Sequence, residues 1–568
     1  MKIKLKSQVQ DSILETVFKN RGIEEKDIYN FLEPSIKNVI SPTTYKNMEE
    51  SYECVMNHIN NKSRILVVVD SDADGFCSNA MLYSYLTMNF DVDIEYMIHT
   101  NKVHGFTSEV MSTVYEGKYE LVLMADAGSS DYERHKELNS MGVDIVILDH
   151  HESEYYSEYA IVVNNQLDEG LVNKTLSGGG VVMKFLEYMD SKLGIDKSKY
   201  YTDLCAIAMV SDSMLMTELE TRYYVKTGMS NIKNSFIYEI LKKKDKIGFL
   251  DISFSVAPII NSIIRVGSKE DRENLFEVMV GANREMTLNI RGKGDVEMSL
   301  AEYVLKISDK CKRLQSKLIN DLMQDGEFEI IQNGLPIVIG IAPIEFNANL
   351  SGLVANKLSD LFMKPSILLR LNDETTKYFG SGRTYKQIDG FKDFLIETGY
   401  FTHCEGHQGA FGCSIEIDKL SELIEYLKDK EEFDIETCYE VDAMYNNKTL
   451  NAFDIMCIGQ MDNQWSKGFE KPLFYIKLEN ISKSNIDIIG KNKDTIRIKH
   501  KGITFVKFKC ETMEIMSTIN GENFNLELVG EFNINEWNGN SYPQVIVKDM
   551  EIEMVNLNEK PVINPFEF

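Results

Sequence analysis

The 568-residue sequence has no uncharged apolar run approaching the ~18 residues that cross a bilayer, so its composition argues against a transmembrane helix. Its opening, MKIKLKSQVQ, has neither an apolar stretch nor a small-residue cleavage site, so no secretory signal is expected. The nine cysteines include no C-x-x-C pair and are scattered, which excludes a disulfide framework and a cysteine zinc site. They read as reduced thiols, and a cytoplasmic protein is expected. Positive charge is also short: the net charge is -27 and the pI about 4.9. A protein that passively coats phosphates is thereby disfavoured, and any nucleic acid must be held by local basic patches or by metal ions. There is no internal repeat and no low-complexity linker. What is present, 43% hydrophobic and 26% charged residues, is ordinary for folded domains and excludes a mainly disordered chain. The length suggests about three or four domains.

Residues 1–60 look helical. From 64 to 230, short apolar runs alternate with amphipathic stretches. Ile65–Val69, Leu121–Met124 and Ile145–Leu148 carry no charge and read as buried parallel strands of an α/β sheet. Residues 231–325 read as a helical connector. In it Leu300, Val304, Ile307, Cys311, Leu314 and Leu318 form one apolar stripe. α/β patterning returns over 326–435, starting at Leu335–Ile341. Residues 440–568 are strand-like, with Asn520-Gly521 and Asn538-Gly539 turns, and suggest a small β-barrel. The expected domains are therefore 1–230, 231–325, 326–435 and 440–568.

Each apolar run of the first domain leads into acidic or imidazole residues: Asp70-Ser71-Asp72-Ala73-Asp74-Gly75, Asp126-Ala127-Gly128, Asp149-His150-His151 and, after Leu204–Val210, Ser211-Asp212. Carboxyl ends of strands form the ligand crevice of open α/β sheets. Carboxylates gathered there repel one another unless cations lie between them. Oxygen and imidazole donors suit Mn²⁺ or Mg²⁺, and a set this rich suits two ions. Two ions ~3.5–4 Å apart clamp the attacking and leaving oxygens of a phosphoryl displacement. The Asp-x-Asp-x-Asp-Gly run also opens like a calcium loop, but the twelfth position is Met81 where an EF-hand needs Glu, so that reading fails. Helix capping accounts for one of these acids, or for Asp131, but not for all of them with two histidines.

These four motifs resemble those of the DHH phosphoesterase superfamily in order and spacing over 64–216. Ser71 stands where that family often has an aromatic residue. The resemblance implies that Asp70, Asp72, Asp74, Asp126, His150 and Asp212 hold the metals, with Asp126 bridging. It implies that His151 sits beside the metals or the scissile phosphate, and that Asp149 orients an imidazole. Gly380-Ser381-Gly382-Arg383 and Glu405-Gly406-His407-Gln408-Gly409 resemble the two signatures of the DHH-associated domain, with Glu405 in place of a usual glycine. Gly-rich turns offer N–H groups to phosphate, Arg383 a bidentate fork and His407 a donor.

Three further stretches resemble the RecJ-type single-strand-specific exonucleases: Pro258–Gly267, and Trp465–Phe474 and Asn535–Asp549 of their OB-fold domain. Lys483–Lys509 holds eight Lys or Arg against two Asp, including Arg497, Lys499, Lys501 and Lys507. On a strand, Arg497, Lys499 and Lys501 share a face. Trp465, Phe505, Phe508 and Trp537 are available to stack on bases, as single-strand binding requires. The resemblance implies a Mn²⁺- or Mg²⁺-dependent exonuclease acting 5′ to 3′ on single-stranded DNA, with Arg265, Ser381 and Arg383 gripping the terminal phosphate. It also implies replication or repair partners such as a single-strand-binding protein or a helicase, and no membrane. Two rivals are a DHH phosphodiesterase for short oligonucleotides or cyclic dinucleotides and a catalytically silent replication scaffold. The first does not need the barrel, and the second would be expected to lose ligands, of which none is missing.

Overall fold

Strands Arg64–Val69, Asp93–Ile98, Leu121–Ala125, Asp144–Asp149 and Ile161–Asn164 form one parallel sheet, in spatial order 93–98, 64–69, 121–125, 144–149, 161–164. The structure, a computed structural model, describes residues 1–554 except 8–11, 245, 372–375, 387, 389, 432, 434–437 and 520, so Asn520 and the expected barrel end 555–568 lie outside the described residues. Along the first strand Ile65, Val67 and Val69 enter one core, and Leu66 and Val68 the other. Both faces are covered, so the run is apolar throughout. The helix after this strand, Ala73–Asn89, packs into the first core, while Ser108–Gly117 and Tyr132–Ser140 pack into the second. The chain thus leaves strands 64–69 and 121–125 in opposite directions, which opens a crevice at their carboxyl ends.

The run Leu204–Val210, read alongside the strands, belongs to a helix, Thr202–Ser211, buried nearly all round. An apolar run of that length has no period that distinguishes the two forms. The connector is less purely helical than expected, because Glu285–Ile290 and Gly294–Ser299 pair as an antiparallel hairpin. Alternating exposed and half-buried positions mark the first of these strands. Helix Leu300–Met323 buries Leu300, Val304, Ile307 and Cys311 as expected, but Leu314 is exposed and Gln315 is buried instead. A 3.6-residue helix drifts against a stripe spaced at 3.5, and the inward position moves on by one. Gln315 is satisfied there by donating to the Ser262 carbonyl at 3.2 Å. Farther along, Leu322 packs into the next domain, so this helix ties two cores together. One stretch, Phe249–Val266, is by length and composition long and apolar enough to cross a membrane, although it carries Asp251 and Arg265. Phe249, Ile252, Val256, Ile260, Ile263 and Ile264 bury one side of it in the core of the first α/β domain.

The second α/β unit is a mixed sheet in the order 401–407, 410–416, 377–383, 366–371, 338–342, 329–331. Its only parallel pair among the described residues joins Val338–Ala342 and Ser366–Leu371. The C-terminal sheet runs 443–446, 474–482, 523–537, 540–554, 503–507, 495–500, 486–489. Asn538 and Gly539 both take positive φ, 50° and 76°, as the two-residue turn between Trp537 and Asn540 requires.

Residues 1–60 are mainly helical as expected, with helices Ile13–Lys19, Ile28–Leu32 and Met48–Asn61, but they do not begin so. Lys2–Leu5 is a strand paired in parallel with Cys438–Val441. Ile13, Val17, Phe18 and Phe31 belong to the core of the C-terminal barrel, so packing crosses the 1–230 boundary drawn from the sequence. Arg222, from the first α/β domain, lies wholly buried at the junction. Its guanidinium donates to the Phe31 carbonyl at 2.8 Å and to Gln464 Oε1 at 2.8 Å, and lies 4.0 Å from the centre of the Phe31 ring. Burial lowers its pKa to about 9 against the opposing charge of Glu33.

Candidate metal centre and phosphate pocket

Seven of the sequence-derived residues converge at the crevice. Single donor atoms of Asp70, Asp72 and Asp126 lie within 4.8 Å of one another, as do those of Asp74, His150 and Asp212, and those of Asp126, His150 and His151. Asp126 thus belongs to two groups, the position a bridging ligand needs. His150 Nε2 lies 3.2 Å from Asp126 Oδ1, 3.4 Å from Asp212 Oδ2 and 3.9 Å from Asp74 Oδ2. Asp70 Oδ1, Asp126 Oδ1, Asp212 Oδ2 and His150 Nε2 are buried without a hydrogen-bond partner. Orphaned buried acceptors are costly, and cations between them supply the missing partners. The donor set of carboxylates and one imidazole fits Mn²⁺ or Mg²⁺.

Local folding fixes each group. Asp72 caps helix Ala73–Asn89 by accepting from the Gly75 N–H at 3.0 Å, so the capping role falls on it rather than on Asp131. Asp131 instead accepts from the Phe106 N–H. A Cβ on Gly75 would stand 2.6 Å from the Asp70 Cβ, so this glycine serves close approach of the helix to the acidic loop. Asp74 accepts from the Gly178 and Gly179 N–H groups at 3.0 and 2.9 Å, and from Ser78 Oγ at 2.9 Å. Gly178 likewise has no room for a side chain, since its Cβ would lie 2.5 Å from that of Asp126. Asp126 itself takes φ 69°, a strained backbone for an aspartate.

The electrostatics are those of crowded carboxylates. Burial, then Asp72, pushes Asp74 up to about 6, and burial and neighbouring aspartates raise Asp126 and Asp212 well above the usual range. Burial pushes Asp72 up too, but His104, Lys102 and the Gly75 N–H outweigh it and hold the carboxyl low. Burial lowers His150 to about 3, keeping a neutral imidazole suited to a metal. Asp149 is not in the cluster. It accepts from the His150 N–H at 2.7 Å and from His151 Nδ1 at 2.8 Å, which fixes the orientation of the His151 ring. Burial opposes the charge on His151, but Asp149 overcomes it and raises the imidazole to about 10.

Beside this centre Arg265, at the end of helix Ala257–Val266, and Arg383, on strand Lys377–Arg383, come close enough for each charge to feel the other. Gly380–Arg383 is thus ladder-paired strand, not the Gly-rich turn expected, and its glycines sit against Leu368 and Phe411. Ser381 lies half-buried on the same strand. Lys102 joins the two arginines, and burial lowers all three cations. Asn349 fastens them: it accepts from the Lys102 N–H at 3.2 Å and donates to the Arg265 carbonyl at 3.1 Å. His407 lies across the crevice at the end of strand Phe401–His407, and burial, Lys467 and His151 lower its pKa. Glu405 is exposed and 3.3 Å from His403 Nε2.

Sequence reasoning missed Lys102, His104, Asn349 and Gly178. His104 Nδ1 lies 2.6 Å from Asp70 Oδ2. Both Lys102 and His104 follow strand Asp93–Ile98, whose carboxyl end opens on the same edge, and that position was a usable signal. The Ser177-Gly178-Gly179-Gly180 opening of an apolar helix was another. Asn349 carried none.

On the barrel, Trp465 and Phe505 are 1% exposed and form core, correcting their expected stacking role. Trp465 stacks on Phe469 instead. Phe508 and Trp537 are exposed, at 56% and 68%. Arg497 and Lys499 share strand Thr495–His500, but Lys501 sits in the turn beyond it at φ 49°, off the strand face expected. Arg497 pairs with Asp487 at 2.7 Å, and Lys507 donates to the Lys548 carbonyl at 3.0 Å.

Residues 64–209 match the DHH family, N-terminal domain, and residues 452–549 match the RecJ OB domain. A putative SPbeta prophage-derived single-strand DNA-specific exonuclease, YorK of Bacillus subtilis (strain 168), is 32% identical over 570 residues, covering 97% of each chain. The single-stranded-DNA-specific exonuclease RecJ of the same bacterium is 24% identical, over 92% of this chain and 65% of its own. Among solved structures, RecJ from Thermus thermophilus in complex with Mn²⁺ superposes with a TM-score of 0.73 at 18% identity, over 97% of this chain and 78% of its own, a likeness of fold.

Proposed function

The chain belongs to the RecJ-type exonucleases of the DHH phosphoesterase superfamily, and from that premise we propose that it degrades single-stranded DNA from the 5′ end by hydrolysing phosphodiester bonds. The observation that carries this reading is the convergence of Asp70, Asp72, Asp74, Asp126, His150 and Asp212 on donor groups linked by Asp126 and His150, with four donor atoms left unpartnered. These six residues would hold two cations, Mn²⁺ or Mg²⁺. Bound there, the cations supply an acidified water and neutralise charge on the displaced oxygen.

The protein's own groups do the rest. Asp149 keeps the His151 Nδ1 proton in place and leaves Nε2 to face a phosphate oxygen. Arg265, Arg383 and Ser381, with Lys102, form a cationic pocket for a 5′-phosphate, which carries more charge than an internal diester. His407 donates from the opposite wall. Arg497, Lys499, Lys501, Lys507 and Trp537 guide the incoming strand on the barrel. Such an enzyme works in the cytoplasm, on strands exposed by a helicase or covered by a single-strand-binding protein. No ligand position is missing, which disfavours a silent scaffold.

The test is a Mn²⁺ titration with a 5′-labelled strand of roughly 30 nucleotides and with a dinucleotide. Metal-dependent release of mononucleotides from the labelled end of the long strand is expected. Cleavage of the dinucleotide alone would replace the reading with that of a short-oligonucleotide phosphodiesterase.

A further inference from the structure

The barrel touches the catalytic domain immediately beyond a proposed metal ligand. Shortly after Asp212, the Met216 N–H donates to the Lys467 carbonyl at 2.9 Å. Gly468 sits so close that a Cβ built on it would stand 3.1 Å from Leu215 Cδ2 and 3.3 Å from Thr217 Cγ2. Lys467 and Gly468 form the apex of a tight turn, closed by reciprocal backbone bonds between Ser466 and Phe469 at 3.0 and 3.1 Å. The feet of the turn are immobilised. Trp465 and Phe469 stack on each other, ring centres 5.1 Å apart, inside the barrel core. The apex thus has no freedom of its own, and its lysine is exposed.

Among the described residues the Lys467 side chain has no hydrogen-bond or ion-pair partner, whereas its neighbour Lys471 is paired with Asp462. Its charge is felt by His407, which also feels His151. Lys392 anchors that wall by donating to the Gly406 carbonyl at 2.7 Å. The turn thus holds Lys467 against the segment Leu215–Thr217 that follows Asp212, and its charge reaches His407 of the second domain.

We infer that Lys467 is a substrate-binding residue that contacts a backbone phosphodiester next to the scissile bond, so that the barrel completes the cleavage site as well as guiding the strand. This rests on the nuclease reading above. A rigid turn carrying an unpaired ammonium suits a single phosphate, and a lysine serves it as a point charge. The contact is local, so it applies to a substrate too short to reach strand Thr495–His500.

The experiment uses the full chain with Mn²⁺. Lys467→Ala and Lys467→Arg are compared with wild type on a 5′-phosphorylated trinucleotide and on a 30-nucleotide strand. The inter-domain bond uses the Lys467 carbonyl, so alanine leaves it in place, and thermal midpoints check this. Lys467→Ala is expected to raise KM about 5- to 10-fold on both substrates alike, and Lys467→Arg to restore most of the loss. A rise confined to the long strand, no rise on either, or equal damage from arginine at an unchanged thermal midpoint would each overturn the inference while leaving the nuclease reading intact. Failure of the wild type to cut either substrate removes the nuclease reading itself, and this inference with it.

Discussion

At the catalytic crevice Asp70, Asp74, Asp126 and Asp149 are almost wholly buried, and three backbone N–H groups aim at Asp74 and Asp72 alone. On the barrel, Lys499 and Lys501 stand in water, and Arg497 shares its charge with Asp487. Both regions collect charge of one sign. The crevice does so at high cost, in a low-dielectric site where each carboxylate disturbs the next. The barrel does so cheaply, at a surface where salt screens each charge. A buried, strained array is suited to one geometry and one chemistry, and a solvated stripe to many strands of any sequence.

The contrast breaks most sharply at Asp126. Asp126→Ala should reduce cleavage about a thousandfold or more, since it removes a donor from both groups. The thermal midpoint of the metal-free protein should hold or rise as repulsion is relieved. Activity within tenfold of wild type would refute the two-cation assignment. Next in size is Arg383→Lys, which keeps the charge but loses the planar fork. The preference for 5′-phosphate over 5′-hydroxyl ends should shrink by roughly tenfold, the worth of about one charge-assisted hydrogen bond. Equal slowing on both ends would move Arg383 out of the terminal-phosphate pocket.

A third experiment needs no mutation. Asp74 binds its proton more tightly folded, at about 6, than an ordinary aspartate near 3.8 does. The folded state therefore holds more protons between those values, and stability falls as pH rises through that window. Metal-free protein should melt lower at pH 7.5 than at pH 5, and Mn²⁺ should raise the midpoint most at pH 7.5. A flat profile would show that the carboxylates are not crowded in solution. Smallest is Lys499→Ala, which should leave trinucleotide turnover alone and lower the salt slope of long-strand binding by about 0.7. An unchanged slope would remove Lys499 from the DNA path.

The same contrast explains what the sequence discloses. Buried charge needs special residues in special order, so Asp70–Asp74, Asp126, His150 and Asp212 stand out in the sequence alone. The helix Thr202–Ser211 was harder, because an apolar run buried all round has no period to read. On the barrel, Trp465 and Trp537 look alike as letters, yet Trp465 follows a short turn into the core and Trp537 ends an exposed hairpin strand, a difference that only tertiary packing makes. Asn349 acts through a carboxamide at a domain junction, and nothing local marks it. The barrel's dependence on Phe18 and Phe31 was illegible because their partners lie far along the chain.

That last distance has a consequence for how the protein is made. Lys4 and Glu440, partners across the strand pair that joins the two ends of the fold, are 436 residues apart. At about 5–20 residues per second, the ribosome emits the later strand tens of seconds after the earlier one. The parallel sheet of residues 64–164 can close in that interval, while Val17 and Phe18 remain uncovered, in reach of chaperones. The barrel then assembles after that sheet, and the Lys467 carbonyl can meet the Met216 N–H only once the chain has been made past residue 467. A chain stopped before the barrel therefore carries its acidic centre without the turn that contacts Leu215–Thr217.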